Sequence, residues 1–186
     1  MKKYPRYSLG KPINSYVQYK SMVQRCTYKG KLRTDYAGNN LTPEWLNYDN
    51  WMDWANNQKG FLNLEANGRI WSLDKDILKK GNKHYCPDLC VFVPNALNQF
   101  FKIQESSRSD LPLGVYTQDG VNYKVRVNNG KGQHIYLGQY LDPNEAHEVY
   151  LTGKTNLGKE LADKYAGLVD ERVLEVVSDF RKWFLS

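Results

Sequence analysis

Between residues 73 and 98 the chain reads LDKDILKKGNKHYCPDLCVFVPNALN, and this stretch limits the possible folds more than any other. It sets an acidic strand end at Leu73-Asp74, a lysine-rich loop turning on Gly81-Asn82, a short apolar strand at Val91-Phe92-Val93 and a helix start at Pro94. Strand, loop, strand and helix in that order can enclose a compact metal-centred site.

The flanking sequence extends the pattern on both sides. Residues 1–14 hold Pro5 and Pro12 with little apolar periodicity and read as an extended basic arm. Over 15–28, Tyr16, Tyr19, Val23 and Cys26 recur at helical spacing. A second helix is expected from Thr42, with Thr42 as N-cap, Pro43 in the first position and Glu44 at the positive end. Its Trp45, Tyr48, Trp51, Met52 and Trp54 form an aromatic stripe, which reads as core. Strands are expected at 69–73 and 91–93, and a helix over 95–103. The polar run 104–112 then marks a boundary between modules. Three strands follow at 113–117, 123–128 and 134–140, separated by an Asp-Gly turn at 119–120 and a glycine-containing turn at 128–132. Asp142 and Pro143 open a helix to about 166, weakened by Gly153 and Gly158. A last helix over 170–184 should bury Val173, Val176, Val177 and Phe180.

At 186 residues the chain can bury a sizeable core, as one domain or as two small modules. Net charge is +6, but it is uneven: residues 1–40 carry nine Lys or Arg against one acid, while 141–186 carry nine acids against six bases. A basic arm beside a near-neutral body suits a polyanion, since each cation on a phosphate releases condensed counterions; a solvated, solubilising terminus is the plainer alternative. Three cysteines, Cys26, Cys86 and Cys90, make no paired framework and argue for a reducing compartment. Cys26, His84, Cys86 and Cys90 would make four zinc donors on paper, but no second closely spaced pair supports this, and buried apolar thiols are the simpler reading. No signal-peptide core and no run of eighteen apolar residues is present, so a soluble protein of the cytoplasm is expected, without a membrane partner.

Leu73-Asp74-Lys75, Tyr85, Pro87, Cys90, Val93-Pro94 and Asn98 together resemble the ββα-metal motif of HNH endonucleases, in the Leu-Asp-Lys or Leu-Asp-Arg variant common in phage-encoded proteins. The resemblance implies a divalent metal, magnesium or manganese, held by Asp74 and Asn98. Lys75 stands where the family carries its base histidine, and Leu89 stands at the central asparagine position. Lys75 would then contact the scissile phosphate. His84 would be either the general base or a loop residue meeting phosphate, and Lys79, Lys80 and Lys83 beside it would meet DNA.

A second resemblance covers 111–150, where Gly114-Val115, Tyr123-Lys124-Val125, Tyr136-Leu137-Gly138, Tyr140, Asp142-Pro143, Glu145-Ala146-His147 and Tyr150 match the ethylene-response-factor type of DNA-binding domain. That module is a three-stranded antiparallel sheet packed on a helix, with the bare face offered to the major groove. Strand alternation sends Lys124 and Arg126 outward and Tyr123, Val125 and Val127 inward. Tyr136 and Tyr140 are expected in the core. Arg126, Lys124 and Lys131 are the candidate DNA contacts, in a loose, phosphate-dominated mode.

The expectation is an α+β chain with a basic arm at 1–14, an HNH-like module with preceding helices at 15–104, and a DNA-binding module at 111–186. Two functions follow: a metal-dependent endonuclease acting on duplex DNA, or a nuclease-derived protein without catalysis that binds DNA or a host defence protein. A structural virion component is a third reading.

Overall fold

A computed structural model describes residues 3–27, 37–102, 110–129 and 132–186. The fold is mixed α+β, with six α-helices, three two-stranded sheets and one three-stranded sheet among the described residues. Contacts divide the chain into two compact units, Met1–Pro94 with Leu168–Asp170 and Asn95–Gly167 with Glu171–Ser186. No described helix is long and apolar enough to cross a membrane.

In the first unit the expected extended arm is instead a small hairpin of β1 (Tyr7–Ser8) and β2 (Lys11–Pro12). Partners elsewhere in the chain hold it. The Lys3 ammonium pairs with Asp53 at 2.5 Å, the Tyr4 hydroxyl donates to the same carboxylate, and Arg6 lies over the rings of Tyr16 and Tyr48. Helix α1 (Asn14–Thr27) follows the expected periodicity. The helix expected from Thr42 is split: Pro43–Leu46 form a 3₁₀ turn, and Asn47 restarts the chain as α2 (Tyr48–Ala55) by accepting the backbone N–H of Asp49. The Thr42 hydroxyl is engaged by Glu44 and caps nothing. Trp45, Tyr48, Trp51 and Met52 are buried as expected, with Tyr19, Met22, Leu73, Tyr85, Cys90 and Phe92 completing one aromatic core.

Around that core run four short strands: β3 (Asn40–Leu41), β4 (Ser72–Asp74), β5 (His84–Tyr85) and β6 (Val91–Val93). β4 and β6 pair antiparallel with Leu73 opposite Phe92 and Asp74 opposite Val91, so the 75–90 connection springs from their shared end. β5 lies within that connection and is held by parallel pairing to β3.

The second unit begins with α3 (Asn95–Phe101); the end of its expected span, residue 103, lies outside the described residues. Then come β7 (Val115–Thr117), β8 (Tyr123–Asn128) and β9 (His134–Tyr140), antiparallel in the order β7-β8-β9. The turn at 119–120 is tied by Asp119, whose carboxylate accepts the N–H groups of Val121 and Asn122 and is held well below the usual carboxylate range by them and by the Asn122 amide. Helix α4 (Pro143–Tyr165), capped by Asp142, packs on the sheet.

The two glycines of α4 are where other elements come closest. A Cβ at Gly153 would stand 2.4 Å from the Leu137 side chain, and one at Gly158 would stand 2.0 Å from the Val177 carbonyl oxygen. Helix propensity is given up there for interhelical and helix–sheet contact. The last expected helix is broken in two, α5 (Glu171–Ser178) and α6 (Phe180–Leu185), because Asp179 leaves helical geometry and its carboxylate accepts the Lys182 N–H. Val173, Val177 and Phe180 are fully buried, whereas Val176 is only half-buried.

Candidate functional site

The β4–β6 connection gathers Asp74, Lys75 and His84 of the first expected set, and each of these three is already engaged. Asp74, at the end of β4, is half-buried, and its Oδ1 accepts the backbone N–H groups of Asp76 at 2.7 Å and Ile77 at 2.9 Å. Burial and the neighbouring Asp76 raise its carboxyl above the ordinary value, against those two donors. Lys75 is buried at 5% exposure. Its ammonium donates to the Asp76 carboxylate at 2.5 Å and the Asn82 carbonyl at 2.6 Å, and lies over the Tyr85 ring.

Asn82 closes this arrangement. Its amide nitrogen donates to the carbonyls of Lys75 and His84, and its side-chain oxygen accepts the His84 N–H. A short asparagine can do this because its amide presents both donors and an acceptor in one plane. The His84 ring, partly buried, is held through Nδ1 by the Asn40 side chain on β3. Lys79, Lys80 and Lys83 are exposed around the tip of this connection.

Does this donor set fit a divalent cation? Asp74 spends Oδ1 on backbone N–H groups, Lys75 places a cation beside it, and no three His, Cys, Asp or Glu side chains converge among the described residues. Asn98 lies half-buried on α3, in the second unit. Among the described residues of this connection, the side chains do not make an oxygen-rich cage of the kind magnesium or manganese requires. The zinc set expected on paper fares no better. No such cluster converges among the described residues, and burial raises both the Cys26 and the Cys90 thiol.

The second set lies on the three-stranded sheet. Residues opposite one another in an antiparallel pair share a face, so the register puts Tyr116, Lys124 and Gln139 together, then Arg126 with Tyr136, then Asn128 with His134. Val125 and Val127 point to the covered face and are buried, as alternation requires. The Arg126 guanidinium stacks over the Tyr116 ring at 4.8 Å from its centre, and the Lys124 ammonium donates to the Gln118 side chain. Lys131 lies outside the described residues.

Tyr136 corrects an expectation. A bulge shifts the β8–β9 register so that Val125 opposes Gly138 but Arg126 opposes Tyr136, leaving Leu137 as the extra residue. Leu137 turns toward Gly153 of α4, and Tyr136 turns outward with 56% of its surface exposed. Tyr140, also expected in the core, is half-buried, with its hydroxyl donating to the Leu137 carbonyl.

Sequence reasoning missed three residues here: Asn82, Tyr136 and Lys154. The first leaves no signal beyond a turn, and the second depends on a bulge. Lys154 had a readable signal, because it stands four residues after Tyr150 and four before Gly158 on the buried face of α4. Comparison with known protein families, with curated proteins and with solved structures finds no match for this chain.

Proposed function

We propose that the protein binds duplex DNA through the outer face of its three-stranded sheet, as a binding protein of nuclease-like sequence. The observation that carries this reading is the Tyr116, Arg126 and Tyr136 cluster, a stacked guanidinium beside an exposed aromatic ring, on the face opposite α4. Lys124 and Gln139 extend the same face with a cation and an amide, and His134 adds a further hydrogen-bonding ring. Such a surface offers charge for phosphates and flat, polar edges for bases and sugars. The exposed lysines at 79, 80 and 83 add to the electrostatic attraction.

Binding is favoured over hydrolysis because Asp74, Lys75 and His84 are each taken up by a partner within their own loop or sheet. The test is fluorescence anisotropy of a labelled duplex at rising salt, for the parent protein and an Arg126→Ala variant. Affinity should fall steeply with salt, and the variant should bind about tenfold more weakly with a salt slope shallower by about one. Salt-independent binding, or an unaffected variant, would move the reading to a protein partner. Supercoiled plasmid with magnesium or manganese supplies the second arm: nicking by the parent that Asp74→Ala abolishes would establish the endonuclease instead.

A further inference from the structure

The second unit contains a cleft of about 350 Å³ to which Lys102, Arg126, His134 and Lys154 all contribute. The volume is at the lower end of the range that takes small metabolites. Its described lining includes no Asp or Glu. Four nitrogen-bearing side chains therefore line it with no carboxylate among the described residues, and Asn128 and Gln99 add amides.

Lys154 is the unusual member. It is 4% exposed, it makes no hydrogen bond or ion pair with a described residue, and its ammonium rests on the faces of Phe100 at 4.0 Å and Phe180 at 5.3 Å. Aromatic faces offset part of the cost of burying a charge, but they do not replace the hydrogen bonds an ammonium makes in water. A methionine or leucine would complete the apolar stripe of α4 at this position without that cost. The buried amine is pushed down to about 8 by its surroundings, which is the signature of a cation lacking a counter-charge.

We propose that this cleft is a binding site for a phosphate group carried by a small molecule or by the end of a nucleic-acid chain, with Lys154 at its base and Arg126 and Lys102 on its walls. A phosphate supplies the missing anion to Lys154 and accepts the planar fork of Arg126. Tyr116 and Tyr150, also in the lining, offer ring surface to whatever the phosphate carries. The cleft shares Tyr116, Arg126 and His134 with the sheet face, but Lys154 on α4 and Lys102 just past α3 play no part in that face, so variants at these two positions test the cleft separately from duplex binding.

The test is calorimetric titration of the full chain with inorganic phosphate, adenosine 5′-monophosphate and adenosine. Phosphate and the monophosphate should bind and adenosine should not. Lys154→Met, which keeps an apolar stem, should weaken both by about tenfold or more, and Lys102→Gln at the exposed rim should weaken both by a few fold. Duplex binding should stay unchanged in both variants.

Competition against oligonucleotides with and without a 5′-phosphate assigns the source. Displacement of inorganic phosphate only by the phosphorylated strand points to a nucleic-acid end, and displacement only by the mononucleotide points to a small ligand; either supports the site. Equal binding of adenosine and its monophosphate, no binding of inorganic phosphate, or parent-like affinity in both variants would overturn it. If Lys154→Met loses its fold by circular dichroism, Lys102→Gln and the three parent titrations still decide.

Discussion

Two lysines are buried to nearly the same degree, Lys75 in the first unit and Lys154 in the second, and they answer the cost of burial in opposite ways. Lys75 has a carboxylate, a backbone carbonyl and a ring face, all drawn from the loop it stabilises. Lys154 has two ring faces and a cleft. A buried charge with partners is part of the scaffold, whereas one with none among the described residues marks a place prepared for something else.

The largest effect should come from Lys154→Met, and its sign is opposite to that of an ordinary core lesion. Unfolded, the amine titrates at its ordinary 10.5; folded, burial lowers it to about 8. Between those values the unfolded chain binds more protons, so the parent gains stability as pH rises from about 8 toward 10.5, and below 8 it carries the whole penalty. The variant should therefore be more stable than the parent by up to about 3 kcal/mol at pH 7, with the gap closing toward pH 10. Urea unfolding of both proteins across that range checks it. The Cys26 thiol, raised to about 11, weakens the fold above its ordinary value of 9.0, but it does so equally in both proteins and drops out of the difference.

Lys75→Met should go the other way. It leaves the Asn82 carbonyl without its donor and the loop without its cation, and a loss of about 2 kcal/mol is expected at pH 7 in the same unfolding experiment. A neutral or stabilising result would break the contrast between the two sites.

Asp74→Ala should cost about 1 kcal/mol by removing the acceptor for the Asp76 and Ile77 N–H groups. Asp74→Asn should recover most of that, because an amide oxygen accepts the same donors. Duplex affinity should be unchanged in both variants, as measured by anisotropy. The smallest change in stability belongs to Tyr136→Ala, within about 0.5 kcal/mol because the ring is exposed. Its duplex affinity should still fall several fold, which separates a binding role from a packing one.

Much of this architecture was readable from periodicity and turn chemistry. The span of α1, the strands β6, β8 and β9, the Asp142 cap of α4 and the aromatic core of the first unit rest on local patterns that survive folding. Errors fell where a short polar side chain competed with the helix. Asn47 and Asp179 each captured a backbone N–H and restarted a helix that continuous hydrophobic spacing had joined. The arm at the N-terminus failed for a different reason. Its cations found partners at Asp53, Tyr16 and Tyr48, all distant in sequence.

The candidate sites divide along the same line. Alternation alone placed Lys124 and Arg126 on one face, because a strand has a period of two whatever surrounds it. Composition alone determined that this protein would present cations to its surroundings. Tertiary structure decided which cations are spent: it folded Lys75 inward onto Asp76 and Asn82, turned Tyr136 outward through a one-residue bulge, and set Lys154 beneath a cleft with aromatic rings for company. A pairing partner lies far away in sequence and a bulge depends on the opposite strand, so neither is written in the local pattern that reports the helix or the strand itself.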